Sequence, residues 1–462
     1  MREPTRQSVR VEQGFVKPID VVFDGESQST DAGLVLLRKI DDQVGLTGAL
    51  AACLEDRRDP AKVAHQVVDL FRQRVFGIAA GYPDGNDAAV LGADPVLKEV
   101  CGRRGVSGDD LGSQSTLSRF EASVTAREAV AMGRTLETFV IQQHRARLKG
   151  RAKRITIDLD PTEDRTYGQQ TFSFFNGHYD SWCFLPQLGY LTFDDEPDQH
   201  LFHVRLRPGN SRCWRGALPL LRRTVAQLRE AFPGAVIRVR LDAGFCCPGT
   251  LLTLEELGVE YVVAIQGNSR LEAKAERYLV KARRRAKQSG ESAKVFGEFR
   301  YAPRNRSRRK KVWPHKRRIV VKAEVVVHRG REPRDNPRYV VTNLRGSPKA
   351  VYAGFYCGRG EIENRIKELN LGLSLGRTSC SRYVANQLRV LMTAAAYVLF
   401  QQLRLKAAKT PLARAQVPTL RERLIKVGAR AVESVRRLVL HLPAAYPWRE
   451  TWLAVARAVG VG

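Results

Sequence analysis

The stretch "RITIDLDPTED", residues 154–164, decides how the rest of the chain is read. Ile155, Ile157 and Leu159 alternate with Thr156, Asp158 and Asp160, the period of two that a strand imposes on its side chains. Pro161 and Thr162 then supply the turn that ends it. Asp158 and Asp160 lie two residues apart on one strand face, so alternation does not choose between them as a functional carboxylate.

Working outward, the pattern before Arg154 is helical. "DAGLVLLRKIDDQVGLTGALAACL" and "DPAKVAHQVVDLFRQRVFGIAAG" carry apolar residues at i, i+3/i+4 spacing, and "YPDGNDAAV" breaks them with turn residues. In "LGSQSTLSRFEASV", Ser115 and Ser118 are possible N-caps, and Ser118 stands three before Glu121, the spacing of a capping box. After Arg154 the expected order is β-β-β-α-β-α-β. Strands are expected at "HYDSWCFLPQLGYLTF", "HLFHVRLRPG", "AVIRVRLDAGF" and "VEYVVAIQG", with helices at "WRGALPLLRRTVAQLREAF" and "PGTLLTLEELG". This is an antiparallel meander followed by α/β crossovers. A basic β segment interrupts it, "RYVVTNLRG" resumes the core, and helices are expected over Tyr356–Leu373 and roughly Tyr383–Ala407. The last fifty residues read as basic and helical. The chain is thus divided into a helical module (1–150), a first core part (151–266), a basic β-rich insertion (267–345), a second core part (346–407) and a basic helical end (408–462).

Charge narrows the class of partner. The 462 residues hold 77 Lys+Arg against 48 Asp+Glu, a net +29, which points to a polyanion. Residues 1–150 are neutral, with 20 Lys+Arg and 21 Asp+Glu, whereas residues 270–345 hold 25 and 7, a net +18. Within that stretch, Phe299, Tyr301 and Trp313 interleave the charges and "IVVKAEVVV" (319–327) reads as a strand, so a basic β platform following a phosphate backbone is expected. Arg308, Arg309, Lys310, Lys311, Lys316, Arg317 and Arg318 are its candidate DNA contacts. Trp313 is placed either stacked on a displaced base or packed in the strand layer. A membrane partner fits poorly: the most apolar run, "VLMTAAAYVLF", falls far short of the ~20 residues that span a bilayer. The first residues lack the apolar stretch of a secretory signal, and a soluble cytosolic protein is expected. Eight scattered cysteines without a C-x-x-C pair, and dispersed histidines, predict reduced thiols and no structural zinc.

Three carboxylates stand out. Asp160 and Asp242 each end a strand, where α/β sheets place their ligands. Glu363 lies in "YCGRGEIENRIKELNLGL" (356–373), whose Tyr356, Arg359, Glu363, Lys367 and Asn370 share one helix face opposite Ile362, Ile366, Leu369 and Leu373. Taken alone, that polar face is a run of surface ion pairs of about 0.3–0.5 kcal/mol each. Taken with two strand-end aspartates, the three oxygen donors suit two Mg²⁺ ions that assist an in-line phosphoryl displacement.

These residues together resemble the DDE-superfamily insertion-sequence transposases, in the group with a Y-x-x-R-x-x-x-E signature. Tyr356, Arg359 and Glu363 match that spacing. "DLDPTED" resembles the first-Asp motif, whose D-x-T favours Asp160, and "VRLDAGF" resembles the second. "GQQ" (168–170) and "SQSTLSRFE" are also similar to this group. Where the signature continues to a Lys seven residues after the Glu, this chain has Asn370. The resemblance implies a ribonuclease-H-like mixed α/β sheet with helices on both faces, a basic β-rich insertion before the last catalytic helix, and flanking helical regions. It implies Asp160, Asp242 and Glu363 as metal ligands for Mg²⁺, with Mn²⁺ as a substitute. Arg359 and Lys367 would grip transposon-end DNA, and Tyr356 would pack on a phosphate or sugar. The activity implied is cut-and-paste transposition: cleavage at terminal inverted repeats, then joining of the 3′-hydroxyl to target DNA by a homodimer on paired ends. A bacterial, cytoplasmic, nucleoid-associated setting goes with it. The alternatives are a DNA-binding protein with an inactive core of this kind, and a structure-selective nuclease that cuts without joining.

Overall fold

In the computed structural model, which describes residues 8–11, 16–22, 24–303 and 313–461, the decisive stretch forms strand β1 (Arg154–Pro161). Both its faces are buried: Ile155, Ile157 and Leu159 on one, Thr156, Asp158 and Asp160 on the other. A strand covered on both sides is typical of a sheet packed between layers. β2 (Gln187–Phe193) and β3 (His200–Arg205) follow as an antiparallel meander. Helix α2 (Ala217–Ala231) leads to β4 (Val236–Leu241), which pairs parallel to β1. α3 (Pro248–Glu256) leads to β5 (Glu260–Ile265), parallel to β4. Ahead of β1 runs the 22-residue α1 (Ala126–Arg147), which packs against β3 and α2. These elements match the expected β-β-β-α-β-α-β order, except that residues 164–184 form a small separate sheet from Asp164–Arg165, Phe174–Asn176 and Ser181–Phe184.

The basic segment is not set apart from the core sheet. After β5 comes a helix absent from the expected elements, α4 (Ser269–Ser289), and then β6 (Ala293–Tyr301), β7 (Arg317–Val326) and β8 (Arg338–Thr342). β8 pairs antiparallel with β5, so among the described residues one nine-stranded mixed sheet runs β6-β7-β8-β5-β4-β1-β2-β3, with Arg334–Asp335 flanking β7. The apolar run of β7 draws it in: Ile319, Val320, Val321, Ala323 and Val325 are all buried. Val320 clusters with Val262 of β5 and Val340 of β8. The chain then enters α5 (Gly360–Leu373) and α6 (Tyr383–Lys406).

The chain folds into two compact units: Thr125–Leu371 with Thr378–Ala394, and Met1–Val124 with Gly372–Arg377 and Ala395–Gly462. The boundary expected near 150 thus falls at 124/125, and the C-terminal region joins the N-terminal one. In that second unit the helices Leu34–Val44, Val67–Ala80 and Gln114–Ser123 bury apolar faces. Ser118 is inside the last of these, which Ser113 caps, and Glu121 is buried against Arg74 at 2.8 Å. The capping box instead joins Thr125 and Glu128 at the start of α1. The expected helix over the C-terminal stretch is partly wrong, because Ala429–Glu433 and Leu438–His441 are strands. Ala429 and Ala431 are buried while Arg430 and Val432 face out, a period of two that the helical spacing had masked. Among the described residues no helix is long and apolar enough to cross a membrane.

Candidate active site

Parallel pairing of β1 and β4 sets Leu159 opposite Leu241, so Asp160 and Asp242 leave the sheet side by side. Asp242 opens a tight turn, Ala243–Phe245. Gly244 is required there, since a Cβ would stand 2.6 Å from Cys213 Sγ and 3.2 Å from Asp242 Oδ1. Arg359 lies between the two carboxylates, with Nη2 2.7 Å from Asp160 Oδ1 and 3.9 Å from Asp242 Oδ2. The contact with Asp160 is one of charge, because neither Nε nor Nη2 is aligned for a hydrogen bond; Asp242 Oδ1 is likewise buried without a donor. Burial pushes the Asp160 carboxyl up to about 7. Arg359 opposes that shift, and the negative charges of Asp242, Glu363 and Asp158 add to it. Crowded carboxylates held by one guanidinium have oxygen lone pairs to offer a further cation.

Asp158 is engaged elsewhere. Its two oxygens accept from Arg240 Nε (2.8 Å) and Nη2 (2.7 Å), and Gln199 Nε2 donates to it at 3.1 Å. Arg240 sits opposite Asp158 in the β1–β4 register, and the pair is almost wholly buried. Arg240 also donates from Nη1 to the Phe355 carbonyl at 3.1 Å and lies 5.1 Å from the Phe355 ring centre. One guanidinium therefore ties β1 and β4 to the approach of α5. It also explains why Tyr356–Leu373 is not a single α-helix. Ala350–Phe355 is a π turn and Tyr356–Arg359 a 3₁₀ turn, and α5 begins at Gly360. The Phe355 carbonyl is diverted to Arg240, and Gly358 leaves room for it, since a Cβ there would lie 2.5 Å from Nη1. Sequence reasoning missed this pair. Its signal was present: a charged residue inside each of two buried strands, each two positions before a strand-end aspartate.

On α5, Ile362, Ile366, Leu369 and Leu373 are buried as expected, and Glu363 and Lys367 are exposed. The surface pairs do not form. Among the described residues no ion pair links Arg359, Glu363 and Lys367, and Arg359 turns to Asp160 instead. Tyr356 is half-buried against the Val262–Val340 cluster, 5.4 Å from the Tyr352 ring. Asn370 reaches Thr162 of the first motif at 3.4 Å. Gln170 donates to the Thr378 and Cys380 carbonyls at 2.7 and 3.2 Å.

The donor set fits a hard divalent cation in chemistry: carboxylate oxygens, one of them buried and undonated. Among the described residues no three potential ligands are gathered closely enough to hold an ion as arranged. Asp160 and Asp242 are brought together, and Glu363 stands nearby on the exposed helix face.

The candidate DNA contacts divide. Arg308, Arg309, Lys310 and Lys311 lie outside the described residues. Lys316 is exposed. Trp313 is not available to a base: it is 3% exposed, edge-on to Tyr301 at 5.9 Å and covered by Arg317 at 5.0 Å. Arg317 is 2% exposed and bidentate to Glu255 at 2.6 and 2.7 Å. Arg318 is held by Glu298 and by the Gly346 carbonyl. Arg317 and Arg318, on opposite faces of β7, are each neutralised within the fold by a glutamate, Glu255 and Glu298.

The chain matches the family described as transposase DDE domain group 1 over residues 11–459. No curated protein gives a significant match. Among solved structures, the piggyBac transposase, imaged by cryo-EM as a synaptic complex with hairpin DNA, is 12% identical. That alignment covers 82% of this chain and 78% of the other, with a TM-score of 0.38.

Proposed function

The chain belongs to the DDE transposase family, group 1, and is a DNA transposase; from that premise we propose that Asp160, Asp242 and Glu363 are its catalytic carboxylates and that it moves DNA by cut and paste. The observation that carries this reading is the juxtaposition of Asp160 and Asp242 around Arg359 at the ends of two parallel strands. The order β3-β2-β1-β4-β5, an antiparallel meander joined to parallel crossovers, supports a ribonuclease-H-like core.

Mg²⁺, or Mn²⁺ in its place, held by Asp160, Asp242 and Glu363, would supply activation of the attacking oxygen and neutralisation of the leaving one. The chain's own residues prepare the site. Arg359 holds the Asp160 carboxylate in place, and the Asp158–Arg240 pair fixes the two strand ends against the turn before α5. Lys367, exposed one turn beyond Glu363, meets a backbone phosphate of the transposon end. The half-buried Tyr356 packs the turn that carries Arg359. In the first step a water oxygen bonds to phosphorus at the element boundary and the P–O3′ bond breaks, releasing a 3′-hydroxyl. In the second step that hydroxyl attacks a target-DNA phosphodiester and a second 3′-oxygen leaves. The reading includes a homodimer on paired terminal inverted repeats, in the bacterial cytoplasm with the nucleoid.

The test is cleavage of a labelled duplex carrying the element's own end, with Mg²⁺ or EDTA, by the wild type and Glu363→Gln. Metal-dependent nicking at the boundary that vanishes in the variant is the expected result. Tight binding without cleavage by the wild type would return Glu363 to an ordinary surface residue.

A further inference from the structure

The positive charge of residues 270–345 is distributed differently from what the strands suggested. On β7 the cations have partners inside the fold: Arg317 with Glu255, Arg318 with Glu298, Lys322 with Glu324 at 2.7 Å. On α4 most of them do not. Arg270, Lys274, Arg277, Lys281, Arg284 and Arg285 follow one another at steps of three or four, with one adjacent pair at the end, so they share one helix face. All six are exposed, and among the described residues none is ion-paired. Glu276 lies off this stripe and is taken by Arg283, which also holds Asp335 at 2.5 Å.

The opposite face fixes the stripe outward. Leu271, Ala275, Leu279, Ala282 and Ala286 are buried, and the helix packs on β6 and β7 with Ala282 and Ala286 against Val325. Tyr278 lies flat over Gly297, where a Cβ would stand 2.1 Å from the ring, and its hydroxyl donates to the Glu298 carbonyl at 2.8 Å. Arg277 reaches the same carbonyl at 3.1 Å and Lys274 lies 5.9 Å from the Phe299 ring centre, so two of the six are preordered without losing their charge. At 1.5 Å per residue the stripe runs about 22 Å, with a cation roughly every 5 Å.

We propose that this face of α4 is a duplex-DNA backbone site, a rigid cationic rod that lies along successive phosphates without reading sequence. The occupant is argued from charge: a line of unpaired cations with no carboxylate within it matches a polyanion of regular spacing, and each phosphate neutralised releases a condensed counterion. The inference does not depend on the carboxylate assignment, because binding is measured in EDTA where no cleavage occurs.

The test compares Kd against salt for a random-sequence 40-base-pair duplex, using the full chain. The variant Lys274→Gln/Lys281→Gln/Arg284→Gln is expected to reduce the slope of log K against log salt by about 2–3, at roughly 0.9 for each phosphate that is no longer neutralised. Lys274→Arg/Lys281→Arg/Arg284→Lys should keep the wild-type slope. A control triple, Arg127→Gln/Arg145→Gln/Arg151→Gln, removes equal charge from exposed positions elsewhere and should change the slope by less than about one. An unchanged slope in the first variant overturns the site. So does an equal loss in the control, which would make the effect one of net charge alone. If the triple variant unfolds, Lys281→Gln/Arg284→Gln carries the same test with a slope change of about 1.8.

Discussion

The carboxylate end of β1 and β4 and the outer face of α4 use charge in opposite ways. At the strand ends Asp158, Asp160 and Arg240 are buried and Arg359 is largely so, and the carboxylates face the guanidinium groups within a few ångströms. On the outer face of α4 six cations are exposed, without an ion pair among the described residues, and spread along a line. Buried charges interact strongly at close range, so they fix geometry and respond to pH. Exposed ones are screened within about 8–10 Å in physiological salt, so they act collectively and respond to ionic strength. One chain thus places local order at the chemistry and long-range attraction on a separate helix.

That contrast can be broken most sharply at the reacting centre. Asp160→Asn, Asp242→Asn and Glu363→Gln are each expected to lower cleavage by about 10³-fold or more while leaving duplex binding within a few-fold, since each removes a donor needed only for the chemical step. Single-turnover cleavage and anisotropy on one preparation check both halves, and loss of binding in all three would place these residues on the α4 side of the comparison.

The next effect is on stability. Arg240→Ala or Asp158→Ala leaves the partner charged and buried, which costs about 3–5 kcal/mol. Asp158→Asn/Arg240→Gln, which removes both charges, should recover most of it in denaturant titration. A double variant destabilised by the sum of the two single losses would show that the pair is not coupled.

A pH-dependent test uses Asp164, whose carboxyl burial pushes up to about 7 although the Thr378 hydroxyl donates to it at 2.8 Å. Its folded value exceeds the unfolded one, near 3.9 for an aspartate, so the folded state binds the proton more tightly. The stability it contributes is fully present below about pH 4 and is lost as pH rises through about 7, on the order of 4 kcal/mol in all. Asp164→Asn should remove that loss, so the variant gains on the wild type between pH 4 and 8. A constant difference across the range would refute the assignment.

The smallest change is on the helix. Lys281→Gln should shift stability by less than about 0.5 kcal/mol, as for other exposed positions. A larger destabilisation would mean that the stripe serves packing.

Much of the core was legible before any coordinates. Period-two alternation at Arg154, together with the strands read at Val236 and Glu260, marked the mixed sheet, and the D-x-T, D-x-G-F and Y-x-x-R-x-x-x-E spacings picked out Asp160, Asp242 and Arg359, which the structure brings together. Periodicity carried less at 420–442, where small residues suit helix and strand alike, and at 269–289, where abundant charge obscured the buried Leu271–Leu279 face.

By itself the sequence determined which segments alternate, where the carboxylates sit along the chain, and that the molecule carries a large excess of positive charge. These are local or additive properties, set by spacing and counting. Only the tertiary structure decided which charges meet. It gave Asp158 to Arg240, turned Arg359 from its helix neighbours to Asp160, buried Trp313 and Arg317, and left six cations on one face of α4 without an ion pair among the described residues. Pairing depends on strand register and on which faces the core covers, and both arise from contacts between residues far apart in the chain.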